Sequence, residues 1–564
     1  MTRAFAIFAY GLILAFFAVF FLMPLAYILR GGFMETDGTF TLAYVLHVFE
    51  NPVYLVGLRN AFGLGIASTT LTVAIAVPLA WVGDRYAFPG KRMLGALVLL
   101  PIMLPPFVGA IGLQQIFGQY GALNALLLEL GLFAEGMPPD WFGQNRFWGI
   151  ALLNALGLYP ILYLNVLASL GNVDPAMEEA AENLGCRGPR EFFRITLPLI
   201  MPGLFAGGTV VFIWSFTELG VPLIFNYERV TPVQIFNGLK ELGANPFPYA
   251  LVAVMLVFSV ASYALGKGLF GRKSYAMLAR ASHVREPRRP GWLGAALCTG
   301  LLGGASPAAL LPHLAVAGIA FSADWYATAL PDGWTLRNFE AALAHPLVAA
   351  SIGNSLVYSV LAVALNILLG VGIAYLVVRS RLPGRGLLDN LAMLPLAVPG
   401  LVMAFGYLAV SQEGRPLALL NPVDNPTVLL AIAYGVRKMP LMVRAAVAGL
   451  QQTSEEYELA ARNLGAPPWR AALLITLPLV VANLLAGAVL VFSQSMLEVS
   501  DSLILAIKQE HYPITKAIFE LLSLLGEGPF VACALGVWAM TFLAATIIAA
   551  NALLGRRLGA VFRF

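Results

Sequence analysis

The chain has 564 residues, 59% hydrophobic and only 11% charged, with 34 Lys and Arg against 30 Asp and Glu for a formal net charge of +4. That charged share is less than half of the roughly 25% usual in soluble domains, and so small and dispersed a surplus excludes a nucleic-acid binder, which concentrates basic residues in a footprint. Cys186, Cys298 and Cys533 lie far apart without a CxxC, which excludes a disulfide scaffold, a zinc ribbon or an iron–sulfur cluster. The composition is that of an all-α polytopic membrane protein.

A membrane-spanning helix takes about 20 mostly apolar residues. In chain order, spans are predicted near 7–29, 57–82, 93–117, 147–170, 197–222 and 247–270, then near 292–320, 352–378, 387–410, 428–450, 478–499 and 528–554. These are twelve transmembrane helices, six on each side of a basic stretch at 271–290. The first follows Arg3 as a signal peptide would, but its apolar run is long and no small-residue cleavage site precedes Arg30, so it is read as a retained span. Basic residues of short loops set the orientation. Arg85, Lys91, Arg92, Arg187, Arg190 and Arg194, the linker residues Arg272, Lys273, Arg280, Arg285, Arg288 and Arg289, then Arg379, Arg381, Arg385, Arg462 and Arg470 fall on one side, with Arg556, Arg557 and Arg563 in the tail. That side is cytoplasmic and holds both termini.

The two halves repeat. Asn60 corresponds to Asn354, Pro101 to Pro395 and Pro105 to Pro399 at an offset of 294, whereas "EEAAENLG" and "ITLP" of the first half match "ELAARNLG" and "ITLP" of the second at 280. The difference of 14 places an insertion in the first half, within 130–146. Because six spans return the chain to its starting side, the copies are parallel repeats, 1–270 and 291–564, joined by the 271–290 linker.

Between the fourth and fifth spans of each half lies a polar segment. In the first, near 174–185, Asp174 is an N-cap and Pro175 opens the first turn; Glu178, Glu179 and Glu182 follow, and Gly185 ends the helix. In the second, near 454–465, Ser454 caps and Gly465 turns the chain. Two amphipathic helices held at one membrane face read as docking elements.

This segment resembles the permease subunits of binding-protein-dependent ATP-driven importers, which carry an E-A-A, three residues, Gly, nine residues, Ile, one residue, Leu-Pro pattern. The first copy matches with Glu179, Ala180, Ala181, Gly185, Ile195 and Leu197-Pro198; the second matches with Ala460, Ala461, Gly465, Ile475 and Leu477-Pro478 but has Leu459 where the family has glutamate. Glu458 stands one position earlier, about 100° around the helix, so the second ATPase contact is expected to be rearranged or weaker. The fused, double-length arrangement resembles permeases of ferric-iron importers. The resemblance implies a type I ABC importer permease of the bacterial inner membrane. Two copies of a cytoplasmic ATPase, holding the ATP and magnesium, would dock on the coupling helices, and an extracytoplasmic solute-binding protein would deliver the solute. The chain itself is read as non-enzymatic and without cofactor: in "GKGLFGRKS" Arg272 stands where a phosphate loop needs lysine.

Polar groups within spans mark the solute route, because they are costly in lipid. Glu218 and Glu498 are counterparts at the 280 offset, and Asp501 adds a carboxylate where the first half has Val221. One reading has these acids lining the passage with an excess of negative charge suited to a hard cation; the other has them at the outer boundary, capping helices or pairing with arginines. Gln114 and Gln115 either line the passage or are solvated at the interface. Arg437, Lys438 and Arg444, opposite Gly157, Leu158 and Leu164 in the repeat, are a cytosolic gate, an anion-attracting lining or positive flanks near the inner face. The five histidines form no cluster, so a structural metal is not expected. Ferric iron is the first choice of substrate, with phosphonates, phosphosugars, polyamines and thiamine as organic alternatives and an ion-coupled secondary transporter as the alternative class.

Overall fold

The computed structural model describes residues 3–35, 37–132, 138–142, 146–239, 245–270, 287–380 and 382–554. Most of the linker (271–286), the core of the inserted loop and the tail arginines lie outside the described residues. The principal helices are α1 (Arg3–Phe17), α2 (Met23–Phe33), α3 (Pro52–Arg85), α4 (Lys91–Val98), α5 (Pro106–Phe117), α6 (Phe147–Leu170), α7 (Pro175–Asn183), α8 (Leu197–Phe216), α9 (Gly220–Ile224) and α10 (Phe247–Phe270). They continue as α11 (Trp292–Phe321), α12 (Pro346–Arg379), α13 (Arg385–Met393), α14 (Gly400–Val410), α15 (Thr427–Gln451), α16 (Glu456–Asn463), α17 (Leu477–Met496), α18 (Ser500–Leu505), α19 (Ile514–Leu522) and α20 (Gly528–Leu554). The repeat is visible in the boundaries: α3 and α12 each have 34 residues at the 294 offset, and α8 and α17 each have 20 at the 280 offset.

Among the described residues, nine helices are long and apolar enough to cross a membrane, or eleven if each of two bent pairs counts as one span. The count of twelve expected from sequence is not reached, for two physical reasons. The expected spans at 93–117 and 387–410 are broken, bent by 97° between Lys91–Ile102 and Pro106–Glu129 and by 101° between Arg385–Leu396 and Gly400–Val410. Proline stands at both breaks: Pro105 and Pro399 lack an N–H and sit in extended backbone, and Leu104, ahead of Pro105, is extended as well. The expected span at 428–450 is a helix of 25 residues, but Arg437, Lys438 and Arg444 make it too charged to count by composition.

Proline also shapes the entry to α8 and α17. Pro198 and Pro478 would clash with the carbonyl four residues back, and the chain widens there into single π-helical stretches, Phe192–Thr196 and Ala472–Thr476. Leu197 and Leu477 accordingly donate to the carbonyls five residues back, of Phe192 and Ala472.

The chain packs as two compact units, one comprising Pro52–Gln234 and Val257–Leu336, the other Met1–Asn51, Ile235–Leu256 and Arg337–Phe564. These are not the two halves of the sequence repeat. In the unit containing Pro52–Gln234, α3, α6 and α8 pack on one another around Ala76, Ala80, Tyr159, Leu162 and Ile200, and α11 packs against α5. In the other unit α12, α15 and α17 form the equivalent trio, and α2 packs against α14. There the Tyr407 hydroxyl donates to the Phe20 carbonyl at 2.7 Å. Each trio is therefore accompanied by the first span of the opposite sequence half, a partner choice that hydropathy does not encode.

Candidate functional site

The two short helices between spans are built alike. The Asp174 carboxylate accepts from the Ala176 N–H at 3.0 Å to cap α7, and the Ser454 hydroxyl accepts from the Glu456 N–H at 3.2 Å before α16. Each helix ends in a glycine of positive φ, Gly185 at +81° and Gly465 at +88°, beyond which Cys186 and Ala466 donate back to the carbonyls of Ala181 and Ala461. A Cβ at either glycine would meet nothing within 4 Å, so the requirement is left-handed backbone and not space.

Beneath each helix sits a buried clamp. Arg85, the last residue of α3, donates through Nη2 to Glu178 Oε1 at 2.6 Å, to Glu191 Oε1 at 2.9 Å and to Thr196 Oγ1 at 3.0 Å, while the Thr196 hydroxyl donates to Glu178 at 2.8 Å. The guanidinium lies 5.0 Å from the Trp81 ring. In the other unit Arg379, the last residue of α12, stands 3.5 Å from Glu458 Oε1; Thr476 donates to that oxygen at 2.7 Å and the Tyr375 hydroxyl to Oε2 at 2.8 Å. Arg379 also donates to the Leu450 and Thr453 carbonyls at 3.0 and 2.6 Å, tying α12 to the end of α15. Arg85 and Arg379, and Trp81 and Tyr375, are counterparts at the 294 offset; Glu178 and Glu458, and Thr196 and Thr476, at 280. Glu191 has Ala471 opposite it, so the second clamp loses one carboxylate and gains a tyrosine hydroxyl.

These contacts revise the expectation about Leu459. Glu458 is the structural counterpart of Glu178 and faces inward; it is not a displaced version of Glu179. Glu179 and Leu459 are both exposed, as are Ala180 and Ala460, whereas Ala181 is buried and Ala461 half-buried. The outward surfaces therefore share apolar tips, Leu184 at 88% and Leu464 at 90% exposure, but differ at Glu179 against Leu459 and at Met177 against Tyr457. Sequence reasoning treated Arg85 and Arg379 only as inside charges and missed the threonines; their recurrence in both copies was the signal available.

The linker's end joins the first clamp. Arg288 donates its N–H to the Arg85 carbonyl at 2.8 Å, accepts from the Ala87 N–H at 3.0 Å, and its guanidinium pairs with Glu182 on α7. That pair holds the Glu182 carboxyl below the usual carboxylate range and raises the Arg288 guanidinium.

The candidate passage residues fall in two environments. Glu218 follows α8 and accepts through Oε1 from the N–H groups of Gly220 and Val221 at 3.0 and 3.3 Å, capping α9. Its counterpart Glu498 is bound by two cations of α15: Arg437 Nη1 donates to Oε1, and Lys438 Nζ donates to Oε2 at 2.8 Å. Arg437 Nη1 also reaches Asp501 Oδ2 at 3.2 Å. The expected excess of negative charge is thus absent from this cluster, because two cations face two carboxylates. Gln114 donates to the Ile224 carbonyl at 3.1 Å and Gln115 to that of Trp325 at 2.7 Å, so both are fixed to backbone. Among the described residues no group of three or more His, Cys, Asp or Glu could hold a metal ion.

The sequence matches the family described as "Binding-protein-dependent transport system inner membrane component" twice, over residues 73–274 and 366–556. It is 28% identical over 474 residues to the Haemophilus influenzae FbpB 1 protein, assigned by name to ferric transport, covering 82% of this chain and 70% of that one. It is 26% identical over 473 residues to the ferric transport system permease protein FbpB of Actinobacillus pleuropneumoniae, covering 81% and 64% respectively. Over 218 residues it is 35% identical to the molybdenum transport system permease protein ModB of Escherichia coli K12, covering 36% of this chain and 90% of that one. Two family matches, one over each copy of the clamp, identify the chain as a member of the binding-protein-dependent inner membrane components, a fused two-copy permease of the ABC importer type and a transport component without catalytic activity of its own.

Proposed function

We propose that the chain forms the passage of an ATP-driven ferric-iron importer of the bacterial inner membrane. In this reading it has twelve spans and cytoplasmic termini, receives iron from an extracytoplasmic binding protein, and docks one copy of a cytoplasmic ATPase on each of α7 and α16, with ATP and magnesium held by those subunits. The observation that carries the reading is the recurrence, in both units, of a buried arginine–glutamate–threonine clamp under a short helix with exposed apolar tips. A clamp of this kind makes the helix stiff relative to the span it hangs from. Force applied by an ATPase is then passed to α3 and α12 and not dissipated in a loop.

Glu178 and Glu458 act in this reading as positioning residues; Glu179, Ala180 and Gly185, with Ala460, Gly465 and the exposed Leu459, form the contact faces. The names of two relatives support ferric iron as the cargo. An oxyanion is the second reading, favoured by the 35% identity to a molybdenum permease and by Arg437 and Lys438 within α15.

Co-expression with an ATPase subunit and a solute-binding protein that co-purify with the chain, followed by uptake of radiolabelled ferric iron and of molybdate, tests both readings. Iron uptake that requires ATP and is lost on Glu178→Gln with Glu458→Gln supports the first. Molybdate uptake without iron uptake transfers support to the second. Uptake that survives ATP depletion but collapses with the ion gradient would place the chain among secondary transporters.

A further inference from the structure

The buried charge cluster on α15 is present in one sequence half only. At the 280 offset the first half has Gly157, Leu158 and Val221 opposite Arg437, Lys438 and Asp501. In the first half Gly157 packs against Pro106, and a Cβ on Gly157 would stand 3.0 Å from the proline Cγ. The equivalent of Pro106 at the 294 offset is Gly400, and a Cβ on Gly400 would overlap the Arg437 guanidinium. The exchange is reciprocal: where one half has a bulky ring against a glycine, the other removes the ring and fills the space with an arginine head group. Arg437 is therefore seated in a place shaped for it, at the first residue of α14, just after the 101° break.

The carboxylates are fixed as firmly. Glu498 lies between α17 and α18, its carbonyl accepting from Ser502 Oγ at 2.5 Å and from Thr515 Oγ1 at 2.6 Å. Asp501 is fully buried, and its Oδ1 has no hydrogen-bond partner among the described residues although Oδ2 is paired. Holding two buried carboxylates against two largely buried cations in a membrane protein is expensive, and the cost is met only while the partners remain together. Three elements, α14, α15 and α18, meet at this point, two of them beginning at helix breaks.

We infer that Arg437, Lys438, Glu498 and Asp501 form a cation-exchange gate, closed in this structure by the protein's own cations and opened by a multivalent hard cation that takes over both carboxylates. This rests on the cation reading of the cargo. A monovalent ion cannot replace Arg437 and Lys438, because it would leave one buried carboxylate uncompensated, whereas a di- or trivalent ion compensates both and finds the spare oxygen of Asp501 as a further ligand. Competition from the tethered arginine and lysine also keeps net binding weak, as a transient station requires. Glu218, whose Oε1 caps α9, is not part of the gate.

Terbium(III), a trivalent oxygen-seeking probe, tests this with the full chain in lipid nanodiscs at physiological sodium, read by luminescence sensitised through neighbouring aromatic side chains. Arg437→Met with Lys438→Met should tighten terbium binding by at least tenfold. Gly400→Ala, which keeps all four charges but evicts the guanidinium, should tighten it by at least threefold. Adding Glu498→Gln and Asp501→Asn to either should abolish the gain. Where the double cation variant does not insert, Gly400→Ala decides. No gain in Gly400→Ala, or a gain that persists without the two carboxylates, overturns the gate. If the terbium pattern holds while the assembled transporter takes up no ferric iron, the cargo assignment falls and the gate stands.

Discussion

Replacing Arg85 with methionine removes the one cation that the first clamp shares among three acceptors. Both carboxylates, Glu178 and Glu191, have side chains at least nine-tenths buried and lie 2.6 and 2.9 Å from Arg85 Nη2. Stripping the partner from a buried pair costs about 3–5 kcal/mol, and the Thr196 hydroxyl offsets only about 1 kcal/mol of that. A net local loss of about 3 kcal/mol raises the opening of α7 by about 150-fold. Hydrogen exchange of the α7 amides, measured on the whole chain in nanodiscs, should lose about two decades of protection while α16 stays unchanged. Arg85→Met combined with Glu178→Gln and Glu191→Gln should recover much of the loss, since no buried charge is left unpaired. Unchanged α7 protection in the single variant, or a combined variant as labile as the sum of its parts, would refute the clamp as what holds the helix.

Arg379→Met should loosen α16 less than Arg85→Met loosens α7, because Glu458 keeps Tyr375 and Thr476; the same exchange experiment compares them. Thr476→Val removes one hydrogen bond and should cost about 1 kcal/mol locally, about a fivefold rise in α16 exchange. Gly185→Val and Gly465→Val force a β-branched residue into left-handed backbone at about 1–2 kcal/mol each, and should lower substrate-stimulated ATP hydrolysis in the reconstituted assembly without reducing membrane insertion. The Arg288–Glu182 pair carries a definite pH sign: Glu182 is held below its ordinary value, so its contribution is complete above about pH 4.3 and is lost as pH falls through the lower folded value. A distance probe between α7 and Arg288 should therefore report attachment at neutral pH and release in strong acid, with high salt weakening it at any pH because the pair is exposed.

Most of the architecture was readable from residue patterns. The offsets of 294 and 280 reproduce the boundaries of α3 and α12 and of α8 and α17, because hydropathy and proline placement act locally. The caps Asp174 and Ser454 and the turns at Gly185 and Gly465 follow from the same local rules. Long-range pairing was less accessible. Arg85 is 93 residues from Glu178, and nothing in either local sequence says that they touch. Arg437 is 61 residues from Glu498, and a carboxylate read alone looks like a cation ligand until its partner is seen. The broken spans were hidden for a different reason: mean hydropathy does not change where Pro105 and Pro399 turn the chain. The association of α11 with α5, and of α2 with α14, is a choice among equally apolar surfaces, decided by fit, as where Gly406 lets its helix approach Pro24.

The attachment of Arg288 bears on why the halves form one polypeptide. The Arg288 N–H donates to the Arg85 carbonyl and the Arg288 carbonyl accepts from the Ala87 N–H; with the Glu182 ion pair these contacts hold this stretch to the end of α3 and to α7. A chain cut within 271–286 would keep those contacts, since none of them passes through the cut. What fusion secures is therefore synthesis in equal number: each ribosome delivers one clamp that contains Glu191 and one that contains Tyr375. Two identical halves would carry Arg437 and Asp501 twice or not at all, whereas the one chain carries each of them once at these positions.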